Sequence, residues 1–303
     1  MLSIVVIGKN EALNLKNLYN SLVNINISKE IIYVDSASDD NSVEISRHYC
    51  DKVVVLEKSD KLCASAGRYI GTQYAKYTWI LYLDGDMELE NEFIEFLNNK
   101  DFEKFDTNIS GFMGFYKYIY KDDSSDENRL LQPKNKIVEH FGGAVMLRKD
   151  IVISAGNWNP SVVANEEFDL YVRIQKLGFF VYGLDIKMVK HIAKKVSNFN
   201  TLLSLFYPLN KRFYGFGQSL VSQYKHGTLC YFIKKRPYPF VYLIVIILSI
   251  YNSNLLLLIL LLFVYISFHK KWHYNILYFS DIIRGVTGIF HSYNYTPKVK
   301  FEY

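Results

Sequence analysis

Cysteine is scarce in this chain: Cys50, Cys63 and Cys230 are the only three among 303 residues. They are scattered and lack metal-ligand spacing. That excludes a disulfide framework and a cysteine-held metal, and they read as reduced thiols in a cytosolic compartment. Dense basic stripes are also missing. A formal net charge of +5 is too mild to argue for nucleic acid as a partner. No leader segment is expected, because Leu2–Ile7 already reads as a strand. The glycosylation sequons at Asn26 and Asn108 then carry no weight.

What is plentiful is apolar: 50% of the residues are hydrophobic and 16% aromatic. The excess is uneven, since residues 236–268 form a nearly unbroken apolar block. It divides at Asn252-Ser253-Asn254 into halves of about 14–17 residues, short of the roughly 20 that one membrane-crossing helix needs. Lys234-Lys235-Arg236 precedes the block and Lys270-Lys271 follows it. Basic residues at both ends favour two cytoplasmic flanks and suit anionic lipid headgroups. A hairpin dipping into a membrane satisfies both features. A single tilted span and a buried soluble hairpin are the alternatives.

The first two thirds read as ordinary α/β protein. Leu2–Ile7, Ile31–Val34, Lys52–Leu56 and Thr78–Leu83 are continuous apolar runs, the pattern of strands buried on both faces. Helical stretches near Glu11–Val23, Ser42–Tyr49 and Ala64–Ala75 lie between them. This alternation predicts a mostly parallel sheet with flanking helices, whose ligands sit beyond the strands' carboxyl ends. Further strands are expected at Phe112–Tyr120, Val138–Leu147, Phe179–Tyr182 and in a run ending at His191, with a loop over Lys121–Lys136 and a helix at Glu166–Lys176. The expected division is an α/β domain over residues 1–195, amphipathic interfacial helices over 196–235, the apolar hairpin or span over 236–270, and an interfacial tail over 271–303.

Polar residues cluster where strands end: Gly8-Lys9-Asn10-Glu11, Asp35-Ser36-Ala37-Ser38 and Asp84-Gly85-Asp86. Two carboxylates one residue apart can hold a hard divalent cation, Mn²⁺ or Mg²⁺, against a diphosphate. Gly85 lets the backbone turn tightly between them. The paired carboxylates Glu166 and Glu167 open a helix, which suits either a proton acceptor or plain dipole complementation. Asp169 and Arg173 are i, i+4 partners that orient that helix.

The order of these motifs resembles the family 2 glycosyltransferases of the GT-A, Rossmann-like fold. Ile7-Gly8-Lys9-Asn10-Glu11 resembles their opening loop, and Val34-Asp35-Ser36-Ala37-Ser38-Asp39-Asp40 their nucleoside-binding segment. Ala64 to Gly71 is similar to the helix start before the metal motif, and Asp84-Gly85-Asp86 to the metal motif itself. His140-Phe141-Gly142-Gly143, Gly156-Asn157-Trp158 and Glu166-Glu167-Phe168-Asp169 resemble the acceptor-side turn and the carboxylate motif. The resemblance covers about residues 3–191. It implies that Asp35 and Glu11 meet the nucleoside, that Arg68 offsets diphosphate charge, and that Asp84 and Gly85 also serve the nucleotide-sugar. It implies metal ligation by Asp86, with Asp84 and His191, and acceptor contacts at Gly142, Gly143 and Trp158. Trp158 can also be read as a packed core residue, and His191 as a satisfied surface histidine. Ser36 and Ala37 replace the commoner Asp-Gly pair, which leaves the base of the nucleotide open.

An inverting transfer needs a base for the acceptor hydroxyl, and Glu167, or Glu166, holds the matching position. The expected activity is transfer from a nucleotide-diphosphate donor, a UDP-sugar first, to a lipid-linked or saccharide acceptor at the cytoplasmic membrane face. The segment Lys211 to Gly217 lacks the processive-synthase signature, which favours a single addition. A polyprenyl- or dolichyl-phosphate sugar synthase, a catalytically silent membrane scaffold and a nucleotidyltransferase are the alternatives. The last would need a phosphate-gripping glycine-rich loop, of which Gly8-Lys9-Asn10-Glu11 is a poor version. The oligomeric state is not readable.

Overall fold

The computed structural model of the chain describes residues 1–120, 125–127, 135–193, 203–251, 265 and 273–303. Contacts divide them into two units. The first holds residues 1–161, 166–195 and 294–303, and the second residues 162–165 and 196–293.

The first unit is one mixed sheet. Its strands are β1 (Leu2–Gly8), β2 (Lys29–Asp35), β3 (Lys52–Leu56), β4 (Trp79–Asp84), β5 (Met87–Leu89), β6 (Ile109–Tyr120), β7 (Ser125–Glu127), β8 (Lys136–Ile137), β9 (Val145–Arg148), β10 (Phe180–Ala193) and β11 (Val299–Glu302). Their order is β11-β3-β2-β1-β4-β9-β6-β10-β5, with β7 on β6 and β8 on β10. The block β3-β2-β1-β4 is parallel, as the continuous apolar runs predict. Beyond it the expectation of a mostly parallel sheet needs correction: β9 runs antiparallel to both β4 and β6, and β5, β7, β8 and β11 also pair antiparallel. Such edge and crossover strands are set by long-range pairing, which local polarity does not encode.

The expected strand at Val138–Leu147 shrinks to Val145–Arg148. The preceding Gly142-Gly143 turn lies outside the strand, with Gly143 packed against Arg68 and Asp84. Two expected strands fuse into the single β10, which carries a register shift between Gly183 and Lys187. Part of the expected loop over Lys121–Lys136 lies outside the described residues, and β7 sits within it. Residues 294–303, read from sequence as tail, return to the first unit, where β11 adds to the edge of β3.

Helices α1 (Ala12–Leu22), α2 (Ser42–Arg47), α3 (Ala64–Tyr74), α4 (Asn91–Asn98), α5 (Lys149–Ser154) and α6 (Glu166–Lys176) flank the sheet. Helix α3 lies close on β1, because a Cβ at Gly71 would stand 2.2 Å from Val5 Cγ1. That approach carries Arg68, one turn earlier, to the carboxyl end of the sheet.

The second unit is helical, with helices Gly215–Lys225, Leu229–Lys235, Tyr238–Tyr251 and His273–Phe290. Asp281 is buried between Arg236 (2.8 Å) and Arg284 (3.6 Å). Val241, Ile244 and Leu248 on one helix, and Phe279, Val286 and Phe290 on another, are exposed. Among the described residues no helix is long and apolar enough to cross a membrane. The Asn252-Ser253-Asn254 tip, most of the apolar block after it, Lys270-Lys271 and residues 194–202, which include the start of the interfacial segment, lie outside the described residues.

Candidate active site

Parallel pairing of β1 with β2 and β4 sets Gly8 beside Asp35 and Ile7 beside Asp84. The loops at these strand ends are cross-tied. Ser36 N–H donates to Gly8 O at 2.8 Å, Asn10 N–H to Ser38 Oγ at 2.8 Å, and Gly85 N–H to Ile7 O at 2.8 Å. Asp35 is fully buried and accepts from the Tyr33 hydroxyl, the Ser38 hydroxyl (2.5 Å) and the Ser38 N–H (2.7 Å). Glu11 stands over Gly85, where an added Cβ would lie 2.9 Å from Glu11 Cγ. Glu11 also accepts from the Asn14 side chain at 2.7 Å.

Antiparallel pairing of β5 with β10 sets His191 opposite Met87, so Asp86 meets the histidine. Asp86 Oδ2 and His191 Nε2 are 3.1 Å apart, while Asp86 Oδ1 and His191 Nδ1 are buried with no hydrogen-bond partner. Burial would lower the His191 imidazole, but the hydrogen bond and charge of Asp86 outweigh it and raise it above its ordinary value. An orphaned carboxylate oxygen beside an imidazole, at the open end of a strand, fits a hard or borderline divalent cation. Among the described residues no group of three or more His, Cys, Asp or Glu gathers to enclose an ion. The protein therefore offers a partial set, Asp86 and His191, to be completed by oxygens of a ligand.

Asp84 is engaged differently. Its Oδ1 takes a 2.7 Å bond from Arg68 Nη2. Arg68 is only 1% exposed, its Nη1 lies 3.1 Å from Glu166 Oε1 and 4.0 Å from Glu167 Oε1, and its guanidinium packs 5.0 Å from the Trp158 ring centre. The guanidinium that the resemblance assigns to offsetting diphosphate charge is buried here and paired with the protein's own carboxylates. The guanidinium joins the strand carrying Asp84 to helix α6, and three carboxylates hold it charged. Helix packing through Gly67 and Gly71 decides this, because it draws the side chain beneath the surface.

Trp158 requires the second correction. It is 0% exposed, beneath Arg68 and edge-on to Tyr82 and Phe141, so it cannot stack on an acceptor sugar. Gly143 lies against the ion pair: a Cβ there would stand 2.7 Å from both Arg68 Nη2 and Asp84 Oδ2. Gly142, beside it, is half-buried.

Glu166 and Glu167 begin α6, where acidic groups suit the helix N-terminus. Glu166 is buried against Arg68, whereas Glu167 keeps 25% of its side-chain surface open. Burial, and after it the charge of Glu166, push the Glu167 carboxyl up to about 8 against the pull of Arg68. Of the two, Glu167 has the exposure and the basicity to accept a proton. Arg173 donates to Ala155 O (2.5 Å), Asn157 O (2.7 Å) and Asp169 Oδ2 (2.6 Å), fixing α6 to the loop after α5.

Sequence reasoning passed over Tyr116 on β6. Its hydroxyl donates to Ala144 O at 2.9 Å and accepts from Ala144 N–H at 2.6 Å. A tyrosine in an aromatic strand gives no local signal for such a role.

Comparisons with known proteins bear on the family and the fold. The sequence model of the family described as "Glycosyl transferase family 2" matches residues 3–153. The cholesterol galactosyltransferase of Borreliella burgdorferi is 31% identical over 101 residues, 32% of this chain and only 28% of that protein's length. Among solved structures, S. aureus TarS 1–349 superposes with a TM-score of 0.56 at 14% identity, over 77% of this chain and 71% of that one. The mannosyltransferase PcManGT of Pyrobaculum calidifontis, in complex with GDP-Man and Mn²⁺, gives 0.59 at 11% identity, over 95% and 86%. The mixed α/β sheet with its flanking helices is GT-A-like, and the chain belongs to glycosyl transferase family 2.

Proposed function

We propose that this glycosyltransferase takes a sugar from a nucleoside-diphosphate donor, a UDP-sugar first, and transfers it with inversion to a membrane-proximal, lipid-linked acceptor. The observation that carries the donor half is Asp86 with its buried, unpartnered Oδ1 beside His191, at the strand end next to Asp84. TarS has been solved with UDP and with UDP-GlcNAc, and GalNAc-T7 with UDP, GalNAc and Mn²⁺. Asp35 and Glu11 border the same strand ends and are assigned to the nucleoside. Asp86 and His191 would hold Mn²⁺ or Mg²⁺, which supplies charge compensation for the leaving diphosphate when bound.

The chain's own groups do the rest. Glu167 takes the proton of the acceptor hydroxyl as its oxygen attacks the anomeric carbon from the face opposite the diphosphate. Glu166 and Arg68 hold Glu167 and Asp84 at a fixed separation. Gly142, half-buried and lacking a side chain, leaves room on the acceptor side, while Gly143 packs against the Arg68–Asp84 pair.

The membrane half of the reading is supported by the exposed apolar side chains of the second unit, the Lys234-Lys235 pair beside them, and a relative named for a sterol acceptor. Its place is the cytoplasmic membrane face.

Isothermal titration with UDP and Mn²⁺ tests the donor half, and absence of binding with either metal would sink it. Flotation with anionic vesicles tests the second half; protein left at the bottom of the gradient would refute it. Glu167→Gln tests the base. An intact rate would mean an acceptor that is already an anion, a polyprenyl or dolichyl phosphate.

A further inference from the structure

We propose that Tyr116 is a positioning residue for the donor site, acting through Gly143 on the Arg68–Asp84 pair; the proposal rests on the functional reading above. One hydroxyl serves both backbone groups of a single residue, donating to Ala144 O (2.9 Å) and accepting from Ala144 N–H (2.6 Å). That double bond pattern fixes the turn ahead of β9 against β6. Gly143, one residue earlier, therefore cannot drift. It presents its Cα face to Arg68 Nη2 and Asp84 Oδ2 so closely that no Cβ fits.

Three groups with no sequence proximity thus form one stack: the Tyr116 hydroxyl, the turn, and the ion pair. Asp84 is the movable member, since its side chain is 32% exposed while Arg68 is 1% exposed and held on its other side by Glu166. The turn acts as a wall that keeps Asp84 on Arg68 and so fixes the orientation of the carboxylate beside the cation site. Burial keeps the Tyr116 phenol protonated far above neutral pH, against the downward pull of the Ala144 N–H bond, so the donor half of the clamp persists at any working pH.

Tyr116→Phe removes the clamp and keeps the ring. Tyr171→Phe is the matched control: the Tyr171 hydroxyl likewise bridges a carbonyl (Val138 O, 2.8 Å) and an N–H (Val181, 3.2 Å), but on the β8–β10 side of the sheet. Both variants lose one buried hydroxyl and should lose comparable stability. Only Tyr116→Phe should weaken UDP–Mn²⁺ binding, by about tenfold, the cost of one misplaced buried hydrogen-bonding group. It should raise the donor KM more than it lowers kcat. The Arg68 Nε–H signal in ¹⁵N spectra should move in Tyr116→Phe and stay in Tyr171→Phe. Equal UDP affinity in the two variants overturns the proposal. So does an unmoved Arg68 signal, and that readout stands even if wild-type protein binds no UDP, which would instead sink the donor reading itself.

Discussion

Replacing Gly143 by alanine asks directly whether the ion pair at the centre of the site is packed or merely adjacent. The new Cβ would stand 2.7 Å from both Arg68 Nη2 and Asp84 Oδ2, where ordinary contact begins at 3.4 Å, so about 0.7 Å of separation must be found. Backbone strain does not enter, since Gly143 is not in the left-handed region. Arg68 cannot give way, being wedged between Trp158 and Glu166. Asp84 must therefore swing outward and lengthen its 2.7 Å bond to Arg68. Overpacking of this size costs about 1–3 kcal/mol. Urea unfolding followed by tryptophan fluorescence reads the loss through the buried Trp158. The decisive measurement is the double-mutant cycle with Asp84→Ala, which removes the group that the methyl strikes. If the clash is the cause, the double variant is more stable than the sum of the singles by about 1 kcal/mol or more. Additivity within about 0.5 kcal/mol, the figure for independent sites, or a Gly143→Ala cost below that value, would refute the packing argument.

Other outcomes follow from the same geometry. If Glu167 is the base, kcat/KM should climb with pH and level off above about 8, because the carboxyl must lose its proton to act; Glu167→Gln should abolish that limb along with most of the rate. The folded value stands above the ordinary 4.5, so this group's contribution to stability is full below 4.5 and is lost as pH rises through 8. Glu167→Gln should flatten that dependence in pH-resolved urea midpoints. Ala37 sits at φ +58, a conformation that burdens a side-chain-bearing residue by about 1–2 kcal/mol; Ala37→Gly should raise stability by about 0.5–1 kcal/mol after glycine's own entropy loss, measured by the same urea curves. Asp86→Asn should leave UDP binding insensitive to added Mn²⁺, while a retained metal effect in calorimetry would reassign the cation site.

Much of this was legible before any coordinates. Leu2–Ile7, Ile31–Val34 and Thr78–Leu83 are so evenly apolar that they belong inside a doubly covered sheet, and their polar ends had to converge on one edge. The carboxylates Asp35, Asp84 and Asp86 follow from that convergence, whereas Glu167 was marked by the family resemblance of its motif. Local chemistry also marked Asp169 and Arg173 as a helix-orienting pair, and the buried bonds of Arg173 match it.

What only the tertiary structure decided are the partnerships. Arg68 has the residue type of a phosphate clamp, yet helix α3 lies so near β1 that its guanidinium is buried and turned to the protein's own carboxylates. Trp158 has the type of a sugar platform, yet it is the floor under Arg68. His191 meets Asp86 because β5 pairs antiparallel with β10 across a separation that no local pattern spans. The composition of a site is written in strand-end residues; which of them face a ligand and which face each other depends on burial and register, and these exist only once the chain has folded.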